Sequence, residues 1–212
     1  MKNKVGRPKT LIRQKIIDIA FNEYWEKGIF NVPLTNIAKL ANVSRPGIYK
    51  EFEDEDGLKT EVIKKYIKLS ADPAHKNYDD YKNYPDHLFN HLEAIIKGGS
   101  KKLTNNPLYL NIKRPKNSIG CLMERTRLDF TKLGPKTKNL VKKYTNFRKK
   151  CFIKYVLNAQ SEGKFQKDLD PNLTAEYILS LFNMLQIYRL NGINKEIIKK
   201  NLDIALTPLF TK

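Results

Sequence analysis

Apolar residues recur at intervals of three and four along almost the whole of this chain, and no segment alternates long enough to argue for a sheet. That pattern predicts an all-α fold. In the first stretch Ile12, Ile16, Ile17, Ala20, Phe21 and Tyr24 mark one helical face, with Thr10 suited to cap the helix and Gly28 to end it. Thr35 signals a second start, before the short amphipathic run Ile37, Ala38, Leu40 and Ala41, and Asn42 tolerates the left-handed backbone found at helix ends. Ser44 is a good N-cap for a third helix with Arg45, Pro46 and Gly47 in its first turn. Pro46 is harmless there because first-turn amides lack intrahelical partners. Either Asp54 or Asp56 can cap a fourth helix, whose apolar positions run from Leu58 to about Ser70.

Beyond it, residues 71–85 are rich in Asp, Asn, Tyr and Lys with Pro73 and Pro85, which predicts a loop or broken helix. Further helices are expected near 86–104, 118–131, 136–162, 172–191 and 195–210, giving about nine in all. The domain expectation is a flexible basic arm at 1–9, a helix-turn-helix domain at 10–54, and a regulatory helical bundle for ligand binding and dimerisation at 55–212.

Three helices, the second and third short and joined through residues 41–44, are what a helix-turn-helix needs, because the third must lie in a major groove while the second crosses the backbone. Ile48 and Phe52 lie four apart and face inward, leaving Arg45, Gly47, Tyr49 and Lys50 outward. Charge adds little. Of 212 residues 40 are Lys or Arg and 22 Asp or Glu, a formal +18, yet Lys is frequent throughout and only part of the surplus falls in the first 66 residues. More useful locally is the arm, where Lys2, Lys4, Arg7 and Lys9 have no acidic residue beside them and can follow phosphates.

From Ile16 to Leu58, the types at Ala20, Gly28, Thr35, Ile37, Ala38, Ala41, Val43, Ser44, Ile48, Tyr49, Phe52 and Leu58 resemble, in register, the DNA-binding domain of the TetR family. The segment from Ser118 to Met123, with Leu128 and Phe130, is similar to a regulatory-domain segment of its AcrR-like branch. The resemblance implies a homodimeric repressor on a palindromic operator, released by a small-molecule effector whose identity the sequence does not carry. It implies phosphate contacts from Thr35, Ser44 and Tyr49, and base contacts from Arg45, Gly47 and Lys50 beside Pro46. Arg45 fits a phosphate role equally, Tyr49 also fits a core aromatic, and Arg7 is placed to enter a minor groove.

One position departs from the family. Where a Lys commonly holds the DNA backbone, this chain has Glu55, inside the run Glu53, Asp54, Glu55, Asp56. Acidic residues suit a helix N-terminus but repel phosphate, so either that helix end stands off the DNA or the arm and Lys50 take more of the affinity. For dimerisation, Tyr177, Leu181, Leu185 and Tyr188 share a helical face, as do Ile197, Leu202 and Leu206 in part, and the family pairs its last two helices across the dimer. Burial of these faces within one subunit is the alternative.

No catalytic constellation is legible: there is no nucleophile elbow, no P-loop and no metal tetrad. No cofactor or metal is expected. His87 and His91, four apart on an expected helix, lack completing ligands. Cys121 and Cys151 read as small buried hydrophobes, and the lack of an apolar run of about 18 residues fits a soluble cytoplasmic protein that makes no membrane contact. The competing classes are a helical enzyme, a nonspecific DNA-coating protein, and a membrane binder acting through the Lys-rich stretch 136–154.

Overall fold

A computed structural model describes residues 9–71, 92, 115–118 and 120–211. Among these are eight α-helices: α1 (Lys9–Lys27), α2 (Leu34–Ala41), α3 (Arg45–Phe52), α4 (Glu55–Tyr66), α5 (Leu122–Leu128), α6 (Pro135–Ser161), α7 (Pro171–Leu190) and α8 (Lys195–Leu206). A π-turn, Ile67–Ala71, extends α4, and short 3-10 turns follow α5 and α8. The described residues hold no strand, only one isolated bridge between Phe165 and Phe210. The all-α expectation holds. The arm to residue 8, most of the stretch 71–85 and the helix expected at 86–104 lie outside the described residues, apart from Ala71 and Leu92.

Local chemistry sets the boundaries. Gly28 at φ +97° ends α1, Asn42 at φ 55° ends α2, the Ser44 hydroxyl accepts the Gly47 N–H at 3.1 Å, and Asp54, of the two candidates, caps α4. Two boundaries differ from expectation. α2 begins at Leu34, with extended Pro33 in the capping position, so Thr35 stands in the first turn and makes no cap. α5 is shorter than 118–131, because Gly120 at φ +70° and extended Cys121 precede it and a 3-10 turn at Phe130–Lys132 replaces its last turn.

Two apolar clusters hold the helices. The first joins α1 to α4 through Ile16, Phe21, Ile37, Ile48, Leu58 and Ile63, and reaches Leu122 and Met123 of α5 and Val141 and Tyr144 of α6. The second joins α6, α7 and α8 through Phe152, Val156, Ile178, Phe182, Leu202 and Leu206, with Leu92 against them. Trp25, which the sequence pattern did not single out, links the parts. Its ring packs edge-on against Phe21 and Tyr66 at 5.2 and 5.0 Å, and its indole N–H donates to the Gly120 carbonyl at 3.0 Å.

Candidate nucleic-acid interface

The turn between α2 and α3 is closed by backbone groups: Val43 N–H donates to the Ala38 carbonyl at 3.0 Å while Asn42 takes the left-handed conformation. α3 then leaves at a fixed angle. Its inner face, Ile48 and Phe52, is buried, and its outer face exposes Arg45, Pro46, Tyr49 and Lys50, with Gly47 half-buried. Ser44 uses an oxygen lone pair on its cap, which leaves its hydroxyl proton free to donate. Thr35 and Lys39 are exposed on α2.

Arg45 and Tyr49 act as a unit. The guanidinium donates to the Tyr49 hydroxyl at 3.1 Å and its carbon lies 6.0 Å from the ring centroid. The phenol oxygen thus accepts from Arg45 while its own proton stays available to an external oxygen. Tyr49 is exposed, not a core aromatic.

Behind this face, α1 grips both short helices. Arg13 donates to the Glu51 carbonyl, lies 4.3 Å above the Phe52 ring and pairs with Glu61 at 3.5 Å. Lys15 donates to the Ala41 carbonyl at 2.8 Å. Sequence periodicity cannot find such contacts, because they join residues far apart in the chain.

The acidic run has its own partners. Asp54 accepts the Gly57 N–H at 2.6 Å, Glu55 pairs with Lys59 at 2.8 Å, and Glu53 and Asp54 meet Lys136 at 2.7 and 3.3 Å. The Gly57 bond first, then Lys136, holds the Asp54 carboxyl below the usual carboxylate range. Lys136 is raised in turn by its bond to Glu53. These carboxylates are turned to helix ends and cations within the chain.

The other expected site residues separate into two groups. Arg7, His87 and His91 lie outside the described residues. Of the expected dimer face, Leu181, Leu185, Leu202 and Leu206 are buried in the second core of their own chain, so that assignment is corrected. Period alone does not tell the two apolar faces of such a helix apart. Tyr177 is exposed and Tyr188 half-buried. Among the described residues no group of three His, Cys, Asp or Glu side chains is placed to hold a metal, and no helix is long and apolar enough to cross a membrane. Cys121 and Cys151 form no disulfide among the described residues, and burial pushes the Cys121 thiol up.

No family model matches the chain. The HTH-type transcriptional repressor ComR of Escherichia coli (strain K12) is 21% identical over 210 residues, spanning 99% of this chain and 92% of that protein. A transcriptional regulator from Saccharomonospora viridis, solved in complex with choline, superposes with a TM-score of 0.70 at 17% identity, covering 96% of this chain and all (100%) of that one. The TetR family transcriptional regulator CifR, a cysteine mutant complexed with 26 bp double-strand operator DNA, superposes with a TM-score of 0.66 at 16% identity over 96% of this chain and 100% of its own. The chain has the fold of the TetR-family transcriptional regulators.

Proposed function

We propose that this chain is a sequence-specific DNA-binding transcriptional regulator of that family: a homodimeric repressor that sits on a palindromic operator and leaves it when a small molecule binds the second bundle. One observation carries the reading. α3 presents Arg45, Tyr49 and Lys50 on an exposed face whose reverse side, Ile48 and Phe52, is locked into the core, which is the form of a recognition helix. The repressor activity of ComR and the operator DNA held by CifR support it. The choline in the Saccharomonospora regulator supports the effector half.

In this reading Tyr49, Ser44 and Thr35 hold phosphates, Lys50 and Arg45 reach base edges beside Gly47 and Pro46, and Arg7 follows the adjacent minor groove. Two copies set their recognition helices in successive major grooves about 34 Å apart. The surface available for pairing is an exposed stripe: Leu173, Tyr177 and Ile187 along α7, with half-buried Met184 between them, beside Ile197 and Ile204 along α8. The Tyr177 hydroxyl donates to the Ala205 carbonyl at 2.7 Å and so sets the two rows side by side. The protein acts on DNA and not as an enzyme, and works in the cytoplasm with no cofactor beyond its effector.

Gel shift on the DNA upstream of its own gene, with excess unrelated competitor at two salt concentrations, tests this directly. A competitor-resistant complex with a footprint over an inverted repeat is the expected result. Binding that vanishes with competitor, and is no better on selected genomic fragments than on random DNA, leaves a nonspecific coating protein instead.

A further inference from the structure

α6 is rich in cations and has no acid: between Pro135 and Ser161 it carries eight Lys or Arg and not one Asp or Glu. Three of the eight are held by carboxylates. Lys136 is held by Glu53 and Asp54, Lys149 by Glu176, and Arg148 by the buried Glu124 of α5. Lys142 has no ion-pair partner among the described residues. It lines a cavity of about 260 Å³ between α5, α6 and α7, opposite Arg127, with Leu128, Phe130 and Val141 as apolar wall and Asn183 at its side.

The charge of this cavity follows from the carboxylate behind it. Glu124 is 2% exposed and is shared: Arg127 donates to one of its oxygens at 2.8 Å and Arg148 to the other. One negative charge thus faces two guanidinium groups, and Lys142 adds a third cation; among the described residues no acidic side chain lines the cavity. The polar groups behind the wall point the same way. Glu124 and Arg127, Thr145 and Arg148, and Asn183 and Gln186 are each three apart, so each pair shares a helical face. Behind the wall, the Arg148 Nε–H and the Gln186 side-chain NH2 are buried donors with no partner; on the wall itself, the Asn183 side-chain oxygen is a buried acceptor with none. Those donors leave the positive charge behind the wall without a further acceptor, and surplus positive charge at the wall favours an anionic oxygen in the cavity.

We propose that this cavity is the effector site of the regulator described above, and that it takes a small amphipathic carboxylate. The carboxylate sits between Arg127 and Lys142, the apolar body lies against Leu128, Phe130 and Val141, and Asn183 accepts from a hydroxyl or amide donor where the ligand has one. The proposal rests on the regulator reading only for the word effector; binding to the cavity can be measured without DNA. Its route to the head is on the same residues. Gln186 accepts the Cys121 N–H at 2.9 Å, Tyr66 of α4 donates to the Cys121 sulfur at 3.1 Å, and Trp25 of α1 donates to the Gly120 carbonyl. A ligand that draws the Gln186 amide toward the cavity pulls on the segment that carries both contacts.

Calorimetric titration of the full-length protein with benzoate, benzamide and benzyltrimethylammonium separates charge from shape. The expected result is saturable one-site binding of benzoate, with the amide and the cation weaker by about tenfold or more, the usual value of one charge-assisted hydrogen bond. Lys142→Gln removes the exposed cation and should weaken benzoate about tenfold. Asn146→Phe closes the mouth of the cavity without changing its charge and should abolish binding. Both side chains are exposed, so both variants should retain wild-type gel shift on the operator. Benzoate binding that survives Asn146→Phe, or equal binding of benzamide, overturns the proposal whatever the gel shift shows. Loss of operator binding by the wild type overturns the regulator reading and leaves the cavity result standing.

Discussion

Asp56 caps a helix to which it does not belong: one carboxylate oxygen accepts the backbone N–H of Lys136 at 2.7 Å, and the other accepts that of Thr137 at 3.3 Å. Gly134, the residue in the capping position of α6, has no side chain to do this. A carboxylate at a helix N-terminus satisfies donors that have no intrahelical partner and meets the positive end of the dipole. The Thr60 and Thr137 hydroxyls, 2.9 Å apart, close the same junction. The start of α4 and the start of α6 are thereby one structural unit, which ties the first four helices to the second bundle.

Asp56→Ala should lower stability by about 1 kcal/mol, the ordinary value of an N-cap, and thus the midpoint of thermal unfolding by about 2–4 °C. Gly134→Ala should do the same from the other side, since its Cβ would stand 2.3 Å from the Asp56 carboxyl carbon. The two losses share one interaction, so the double variant should fall well short of their sum. Additive losses by thermal unfolding would show that the residues act separately.

Asp54 gives the acid limb of stability a definite sign. Its folded carboxyl lies below the usual range, so it contributes stability above about pH 4, and that contribution is lost as pH falls through the folded value. In Asp54→Asn the charge is gone at every pH, so its unfolding midpoint should fall less steeply below pH 4 than the wild type's. Urea unfolding at pH 7, 4 and 3 measures this, and parallel profiles would remove Asp54 from the acid response.

The ion pair of Glu124 with Arg148 is buried, each side chain being 3% exposed. Removing one partner strands the other, so Glu124→Ala should cost about 3–5 kcal/mol. Replacing both with Met should recover most of that loss, since a buried pair contributes little net stability over apolar packing. Denaturant unfolding reads both. A double variant no more stable than the single one would mean that Arg127 and the neighbouring polar groups also need the carboxylate.

The helices and the turn between α2 and α3 are legible in the sequence because their causes are local. Ser44, Asn42 and Gly28 act within one turn of themselves, and Ile48 and Phe52 declare an inward face by spacing alone. What was not legible joins distant segments. Nothing near Asp56 in the chain reveals that it caps α6, nor does Trp25 announce a bond to Gly120. In the sequence the acidic run has no visible partners; in the fold Lys59 meets Glu55 and Lys136 meets Glu53. Period told that α7 and α8 each have an apolar face; it did not tell which apolar residues stay inside one chain.

That last point can be tested by contrast. Ile204 is 72% exposed on α8, whereas Leu185 of α7 is completely buried at 0%. In a dimer paired through the exposed stripe, Ile204→Glu should yield a folded monomer by sedimentation at micromolar concentration, with unchanged helix content. Leu185→Ala should instead cost about 2–5 kcal/mol of stability and leave the wild-type assembly state in the folded fraction. A wild-type dimer from Ile204→Glu would place the interface elsewhere.

In the proposed operator complex, the Arg45 and Tyr49 pair makes the two kinds of DNA contact separable. Tyr49→Phe removes the hydroxyl that a phosphate would accept from, while the ring and its cation contact remain. Affinity should fall for every sequence alike, by about three- to tenfold, the value of one hydrogen bond. Lys50→Ala removes a base-reaching cation. It should relax preference at particular operator positions by about 1–3 kcal/mol of discrimination and reduce the salt slope by at most about one. Arg45→Ala loses its own contact and frees the Tyr49 ring, so its loss should exceed that of Tyr49→Phe. Binding to a panel of single-base operator variants at two salt concentrations distinguishes these patterns. A base-specific loss from Tyr49→Phe together with a uniform loss from Lys50→Ala would exchange their roles and turn α3 about its axis relative to the groove.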